Sequence, residues 1–361
     1  MDIDESRCAM INRGENPLPQ EVGLDELIRR HGGQNLKATS SYEDARGSEL
    51  FIVIVPLFVD QANNPDLSIL EVALRSVGRV ISPGSTIVLE TTVPPGTTAG
   101  LVRGWLEEES GLALGDFYLA HSPERIMSGY CLSRLREFPK VIGGVDPSSG
   151  LKAYQLYSLF IPNLKMVSSS EVAELIKVME GCYRDVNISL ANELFRIADE
   201  LGIDFYEARE YANHEFCHIH MPSTGVGGHC IPVYPWFLIK EMERRERFDS
   251  IRLLRTAREE NDGMIDLWAE RIVMASLKLD LPLSRVRICI EGISYRPGAK
   301  GLYHSRNLAL ARLLMRKGLA VSVSDPLYSQ KELEGLGLRA GGAEGCHISF
   351  DPYGLKIKYN L

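Results

Sequence analysis

The residues best suited to chemistry lie in one stretch, Met221-Pro222-Ser223-Thr224-Gly225-Val226-Gly227-Gly228-His229-Cys230-Ile231-Pro232. A glycine-rich turn delivers a cysteine, with prolines stiffening both sides. Glycines take backbone angles closed to other residues and let a ligand approach the main chain. Their amides can form a nest for an anion or a developing oxyanion. A thiol beside such a nest is a candidate nucleophile, provided that its pKa is lowered. The alternative is a tight loop around a buried, inert cysteine.

Two more stretches carry polar groups where strands should end. Glu90-Thr91-Thr92-Val93-Pro94-Pro95-Gly96-Thr97-Thr98 follows the apolar run Ser85–Leu89, and His121-Ser122-Pro123-Glu124-Arg125 follows Phe117–Ala120. Thr92 could cap the next helix; Glu124 and Lys177 could be ordinary surface charges. His214, His218 and His220, with Cys217 between them, raise a metal reading, because His at i and i+4 share a helix face. No tetrahedral ligand set accompanies them, so no metal is expected.

The elements that must hold these groups alternate. Short apolar runs at Leu50–Pro56, Ser85–Glu90, Phe117–Ala120 and Lys140–Gly144 read as buried parallel strands, with a helix at Ser68–Val80. In such a sheet, ligands sit at the carboxyl ends of the strands. From Ser168 the period changes. Ser168-x-x-Glu171 offers a capping box, and Val172, Leu175, Ile176, Met179, Tyr183, Val186, Leu190, Leu194, Ile197 and Leu201 recur at helical spacing up to Gly202. A helix of about 30 residues spans roughly 45 Å, a natural spine between domains and a surface for a second copy. Another helical region covers Ile251–Leu279. A strand at Arg285–Ile293, a helix at Ser305–Lys317 and a strand at Leu319–Ser324 then open a second α/β domain, and nothing convincing continues beyond Ala340.

Bulk properties narrow the class. The chain has 361 residues, 45% hydrophobic, with net charge −8, which argues against a general nucleic-acid binder. Seven cysteines without paired spacing fit a reducing cytoplasm. No apolar run reaches the ~18 residues of a membrane span, so a cytoplasmic protein with no membrane partner is expected.

In combination, the two polar turns, Glu174-Leu175-Ile176-Lys177 running into Arg184-Asp185-Val186-Asn187, and the cysteine loop resemble the UDP-glucose/GDP-mannose dehydrogenase family. The wording of Pro222–Trp236 looks most like the branch that oxidises UDP-N-acetylhexosamines, above all UDP-N-acetylmannosamine. The resemblance implies an α/β protein: an N-terminal Rossmann-like NAD-binding domain over 1–165, a central helical dimerisation domain over 166–280, and a C-terminal UDP-sugar domain over 281–361. It implies NAD as cofactor, a UDP-sugar substrate for surface-polysaccharide synthesis, and a homodimer or higher homo-oligomer. By the same resemblance Cys230 captures the C6 aldehyde and becomes a thioester. Glu124 is the base that hydrolyses it and orders the water with Thr92, and Lys177 stabilises the oxyanion. Asp2, Arg7, Thr92 and Glu124 contact the cofactor; Lys177, Gly225, Gly227, Gly228 and Arg296 contact the substrate. Asn261-Asp262 is a structural pair. UDP-glucose, GDP-mannose or loss of activity are the alternatives.

The chain departs from the family pattern in places. No strand and G-x-G-x-x-G turn stand ahead of Asp2, which leads us to expect a gap at the centre of the first sheet and weakened NAD binding. Gly181 replaces an asparagine and Tyr234 an aspartate. Arg296 replaces a lysine, Gly298-Ala299-Lys300-Gly301 replaces an Asp-rich stretch, and the second α/β domain is expected to be incomplete.

Overall fold

The computed structural model describes residues 1–126, 129–132 and 137–360. The chain forms two compact units, Met1–Met179 and Glu180–Leu361. The division falls inside a single helix, Ser170–Glu200.

The first unit is built on five strands in the spatial order Leu50–Val53, Thr86–Leu89, Tyr118–His121, Lys140–Gly144, Leu164–Met166. Side chains alternate across a strand, and both faces are covered. Ile87, Leu89 and Leu119 join a core with Leu70, Leu74 and Leu106 from the helices Ser68–Gly78 and Arg103–Ser110. Val88, Ala120 and Ile142 point the other way, onto Ala153 and Tyr157 of the helix Pro147–Tyr157. Burial on both sides is why these strands read as continuous apolar runs.

Three expectations change here. The five strands are contiguous, so the sheet has no central gap; Leu50–Val53 is its edge, and Ile52 and Ile54 are exposed. An apolar run does not show which face has a neighbour. The sheet is also not wholly parallel. The first three strands are parallel, but Tyr118–His121 pairs antiparallel with Lys140–Gly144, through Ala120↔Gly144 and His121↔Gly143. The capping box at Ser168 is not formed, because the helix begins two residues later, at Ser170.

The second unit carries five strands in the order Arg339–Ala340, Ala320–Ser324, Arg287–Glu291, Ile348–Asp351, Lys356–Tyr359. Four are parallel and the last is antiparallel. The tail beyond Ala340 therefore continues the sheet, contrary to expectation: Ile348 and Phe350 are fully buried, and Trp268 of the helix Arg252–Leu277 packs 4.9 Å from the Phe350 ring. This strand escaped notice because it has four residues, and the residue between its two buried apolar side chains is a serine, Ser349, buried on the opposite face. The helices Phe205–Ala212, N-capped by Asp204, Tyr234–Arg244, Arg306–Arg316 and Gln330–Gly335 also belong to the unit.

A polar network crosses this apolar interior. Asp185 accepts from Arg258 at 2.6 Å and from Asn261 at 2.9 Å. Arg258 also pairs with Asp262, which pairs with Arg306. Asn261-Asp262 therefore occupies the structural position that the sequence suggested.

Candidate functional site

In the second unit the cysteine loop is tied down at several points. Arg306 Nε donates to the Val226 carbonyl at 3.0 Å, Thr224 Oγ1 meets Asn307 Oδ1 at 2.6 Å, and Gly228 N donates to the Tyr303 carbonyl at 3.0 Å. Ser223 N donates to Asn192, which in turn bonds Asn261. Gly225 has to be glycine: its φ is +110°, and a Cβ there would lie 2.5 Å from the Asn261 carbonyl oxygen. Gly227 and Gly228 lie against Tyr295 and His304. The His229 ring stacks on Tyr303, with centroids 3.9 Å apart.

This scaffold presents Cys230. Its carbonyl accepts from Val233 N at 3.1 Å and Tyr234 N at 3.0 Å, which folds the chain into the helix Tyr234–Arg244. Of the seven cysteines, Cys230 is the exposed one; Cys8, Cys182, Cys289 and Cys346 are buried. The reading of Cys230 as an inert core thiol does not hold.

Arg296 lies in the turn that leaves the carboxyl end of Arg287–Glu291, with its guanidinium 5.7 Å from the Tyr295 ring. The chain winds to one side of that strand through Ala320–Ser324 and Arg339–Ala340, then returns to the other side at Ile348–Asp351. The carboxyl ends of such a pair form the crevice where α/β sheets bind ligands. Asp325 accepts there from Ile293 N and Ser294 N, and the Tyr353 hydroxyl donates to the Ser294 carbonyl.

The first unit holds the remaining residues. Thr92 follows the strand Thr86–Leu89, Glu124 follows Tyr118–His121, and half-buried Lys177 lies on the long helix. Burial pushes the Glu124 carboxyl above its ordinary pKa, while the positive charges of Lys177 and Lys140 oppose the shift. Glu124 N donates to the Glu90 carbonyl at 3.1 Å. A carboxyl raised in this way is a stronger proton acceptor than an ordinary carboxylate. Lys140 and the Tyr157 hydroxyl both hold buried Glu90, each at 2.7 Å. His121 is buried, and desolvation pushes its pKa down to about 3, so it stays neutral. Thr92 is not a helix cap: no side chain caps the start of the next helical segment, Thr98–Val102. At the surface, Asp2 pairs with Arg7 at 2.8 Å and accepts from Asp4 N. His214 and His218 share no helix; a turn pairs His214 with Cys217 through the main chain. Among the described residues, no group of three His, Cys, Asp or Glu could hold a metal.

One residue passed over in the sequence proves central. Glu174 is fully buried and accepts from Gly96 N at 2.5 Å, Thr98 N at 2.8 Å and Thr98 Oγ1 at 2.6 Å. It latches the Pro94-Pro95-Gly96 turn that follows Thr92 to the first turns of the long helix. Its place beside Leu175-Ile176-Lys177 was visible in the sequence; its partners were not. Burial outweighs the three hydrogen bonds and lifts its pKa from 4.5 to about 7. A carboxyl raised on folding favours the folded state fully below about 4.5, and that contribution is lost as pH rises through about 7. We predict that Glu174→Gln flattens this part of the stability–pH curve, by up to about 3 kcal/mol. Thermal melts of both proteins across that range check it, and identical slopes would refute it.

Comparison with known proteins identifies relatives of this chain. Residues 1–161 match the UDP-glucose/GDP-mannose dehydrogenase family, NAD binding domain, and residues 171–263 match that family's central domain. A UDP-N-acetyl-D-mannosamine dehydrogenase of Pyrococcus horikoshii is 36% identical over 320 residues, covering 88% of this chain and 74% of that protein. An NDP-N-acetyl-D-galactosaminuronic acid dehydrogenase of Ralstonia solanacearum is 34% identical, covering 90% of this chain and 76% of that protein. The solved structure of the UDP-D-ManNAc dehydrogenase from Pyrococcus horikoshii superimposes with a TM-score of 0.87 at 33% identity, over 98% of this chain and 82% of that one. The chain therefore belongs to the UDP-glucose/GDP-mannose dehydrogenase family and is an oxidoreductase whose cofactor is NAD.

Proposed function

We propose that this protein oxidises the C6 alcohol of a UDP-N-acetylhexosamine, UDP-N-acetylmannosamine first among them, to the uronate through a thioester on Cys230. The observation that carries the proposal is the exposed thiol on a loop anchored at Val226, Thr224 and Gly228. The substrate class is taken from the relatives, among which UDP-N-acetyl-D-mannosamine dehydrogenases recur.

The residues present fit NAD. Asp2 offers an acceptor carboxylate, steadied by Arg7, with both side chains partly exposed, as suits a ribose diol. Thr92 and Glu124 leave the carboxyl ends of neighbouring parallel strands, where an α/β sheet receives a dinucleotide. Two molecules of NAD bound there in succession would each take up one of the two hydrides that an alcohol loses in becoming an acid.

The protein's own part is to hold, position and move protons. Cys230, as thiolate, adds to the aldehyde carbon and keeps the aldehyde from escaping. Lys177 stabilises the oxyanion. Glu124, with its raised pKa, takes a proton from the water that cleaves the thioester; Thr92 orients that water, and the thiol leaves as thiolate. Arg296, at the carboxyl-end crevice of the second sheet, meets a phosphate of the nucleotide, and Gly225, Gly227 and Gly228 line the sugar.

A second copy of the chain is the proposed partner. Tyr183, Leu190 and Ile197 of the long helix are exposed at about two-turn spacing, with Leu201 exposed just beyond its end, an apolar seam of the kind that pairs helices. Among the described residues, no helix is long and apolar enough to cross a membrane; a cytoplasmic location is part of the proposal.

With UDP-N-acetylmannosamine, two NADH should form per sugar, and Cys230→Ser should abolish the second oxidation. One NADH with release of aldehyde would exclude the thioester, and turnover confined to UDP-glucose or GDP-mannose would overturn the substrate. Sedimentation at micromolar concentration should show a dimer; monomer alone would rule out the seam as an interface.

A further inference from the structure

Gly181 is an anomaly that the reaction scheme does not use. It lies inside the helix Ser170–Glu200, where only proline is less favoured. Its surroundings explain the choice: a Cβ at 181 would lie 2.6 Å from Cδ2 of Tyr234 and 2.9 Å from its Cβ. The Tyr234 ring rests directly on the helix main chain. On its other flank, the ring lies 5.7 Å from that of buried Phe237.

Tyr234 is also part of the reactive turn. It is the first residue of the helix Tyr234–Arg244, and its N–H donates to the Cys230 carbonyl at 3.0 Å. The Arg306, Thr224 and Gly228 contacts anchor the loop ahead of Cys230. Behind Cys230, Val233 is buried, and the Tyr234 ring beside it rests on the long helix, where it can seat itself only because residue 181 has no side chain.

We propose that Tyr234 is a positioning residue that seats the Cys230 turn on Gly181, so that these two departures from the family pattern form one matched pair. A change at 181 displaces the ring, and loss of the ring frees the carboxyl side of the turn. The inference draws its bearing on turnover from Cys230 as the reacting thiol, but the seat can be read without any substrate.

The test follows alkylation of the full-length chain by iodoacetamide, with peptide mapping of Cys230 and, as internal reference, Cys217, which lies outside the seat. Gly181→Ala and Tyr234→Gly should each change the Cys230-to-Cys217 rate ratio by about threefold or more, as expected for groups in contact. Tyr234→Phe keeps the ring and should leave the ratio unchanged. With the whole Tyr234 side chain removed, the three nearest atoms that an alanine at 181 would meet are gone, so Gly181→Ala/Tyr234→Gly should match Tyr234→Gly alone. Additive effects, or an unchanged ratio in Gly181→Ala, would overturn the proposal. If Gly181→Ala fails to fold, recovery of a cooperative melt in the double variant supports the pairing, and no recovery refutes it. A chain with coupled alkylation and no dehydrogenase activity would keep the seat and remove the proposed reaction, so the two failures are distinct.

Discussion

The second unit depends on an ion pair removed from water. Asp185 and Arg258 meet at 2.6 Å with side chains 1% exposed. Burying two charges is expensive, and their attraction offsets that cost only if the geometry is good and the remaining polar atoms are bonded. Asn261 bonds the same carboxylate oxygen and Asp262 takes the other arm of the guanidinium, while Asp185 Oδ2 and Arg258 Nε find no partner among the described residues. Arg306 then links Asp262 to the Val226 carbonyl. Removing one partner would leave a buried charge unpaired, so the network commits the backbone to one arrangement. It ends on the loop that carries Cys230.

The first unit solves a related problem with carboxylates. Glu174 gathers two amides and a hydroxyl of the turn after Thr92, and Glu90 gathers Lys140 and Tyr157 beneath Glu124. Both carboxylates are buried. In each unit, the residues assigned to chemistry other than helix-borne Lys177 sit on polar turns, while neighbouring buried charges hold those turns still. Preorganisation of this kind lets a site act on developing charge without moving first.

Much of this was legible in the sequence. The cysteine loop, the turns at Thr92 and Glu124, and the long helix are contiguous, and periodicity marked their elements to within a few residues. What escaped depends on distant partners. Glu174 bonds Thr98, 76 residues away, and Arg306 bonds Val226, 80 residues away. Periodicity reports which face of an element is apolar; it does not report what covers that face. Leu50–Val53 therefore read as a buried strand although it is an edge, and His214 and His218 read as sharing a helix face although they lie on a turn. Gly181 and Tyr234 read as two separate departures until the ring was found resting on the helix.

The account's central claim is that Cys230 carries the substrate covalently and that Glu124 releases it. The most direct measurement is acid quench during a single turnover, followed by mass analysis of the Cys230 peptide. The account predicts a transient adduct of the uronyl mass on Cys230, which persists longer in Glu124→Gln. Complete oxidation with no adduct on Cys230 in either protein would contradict it.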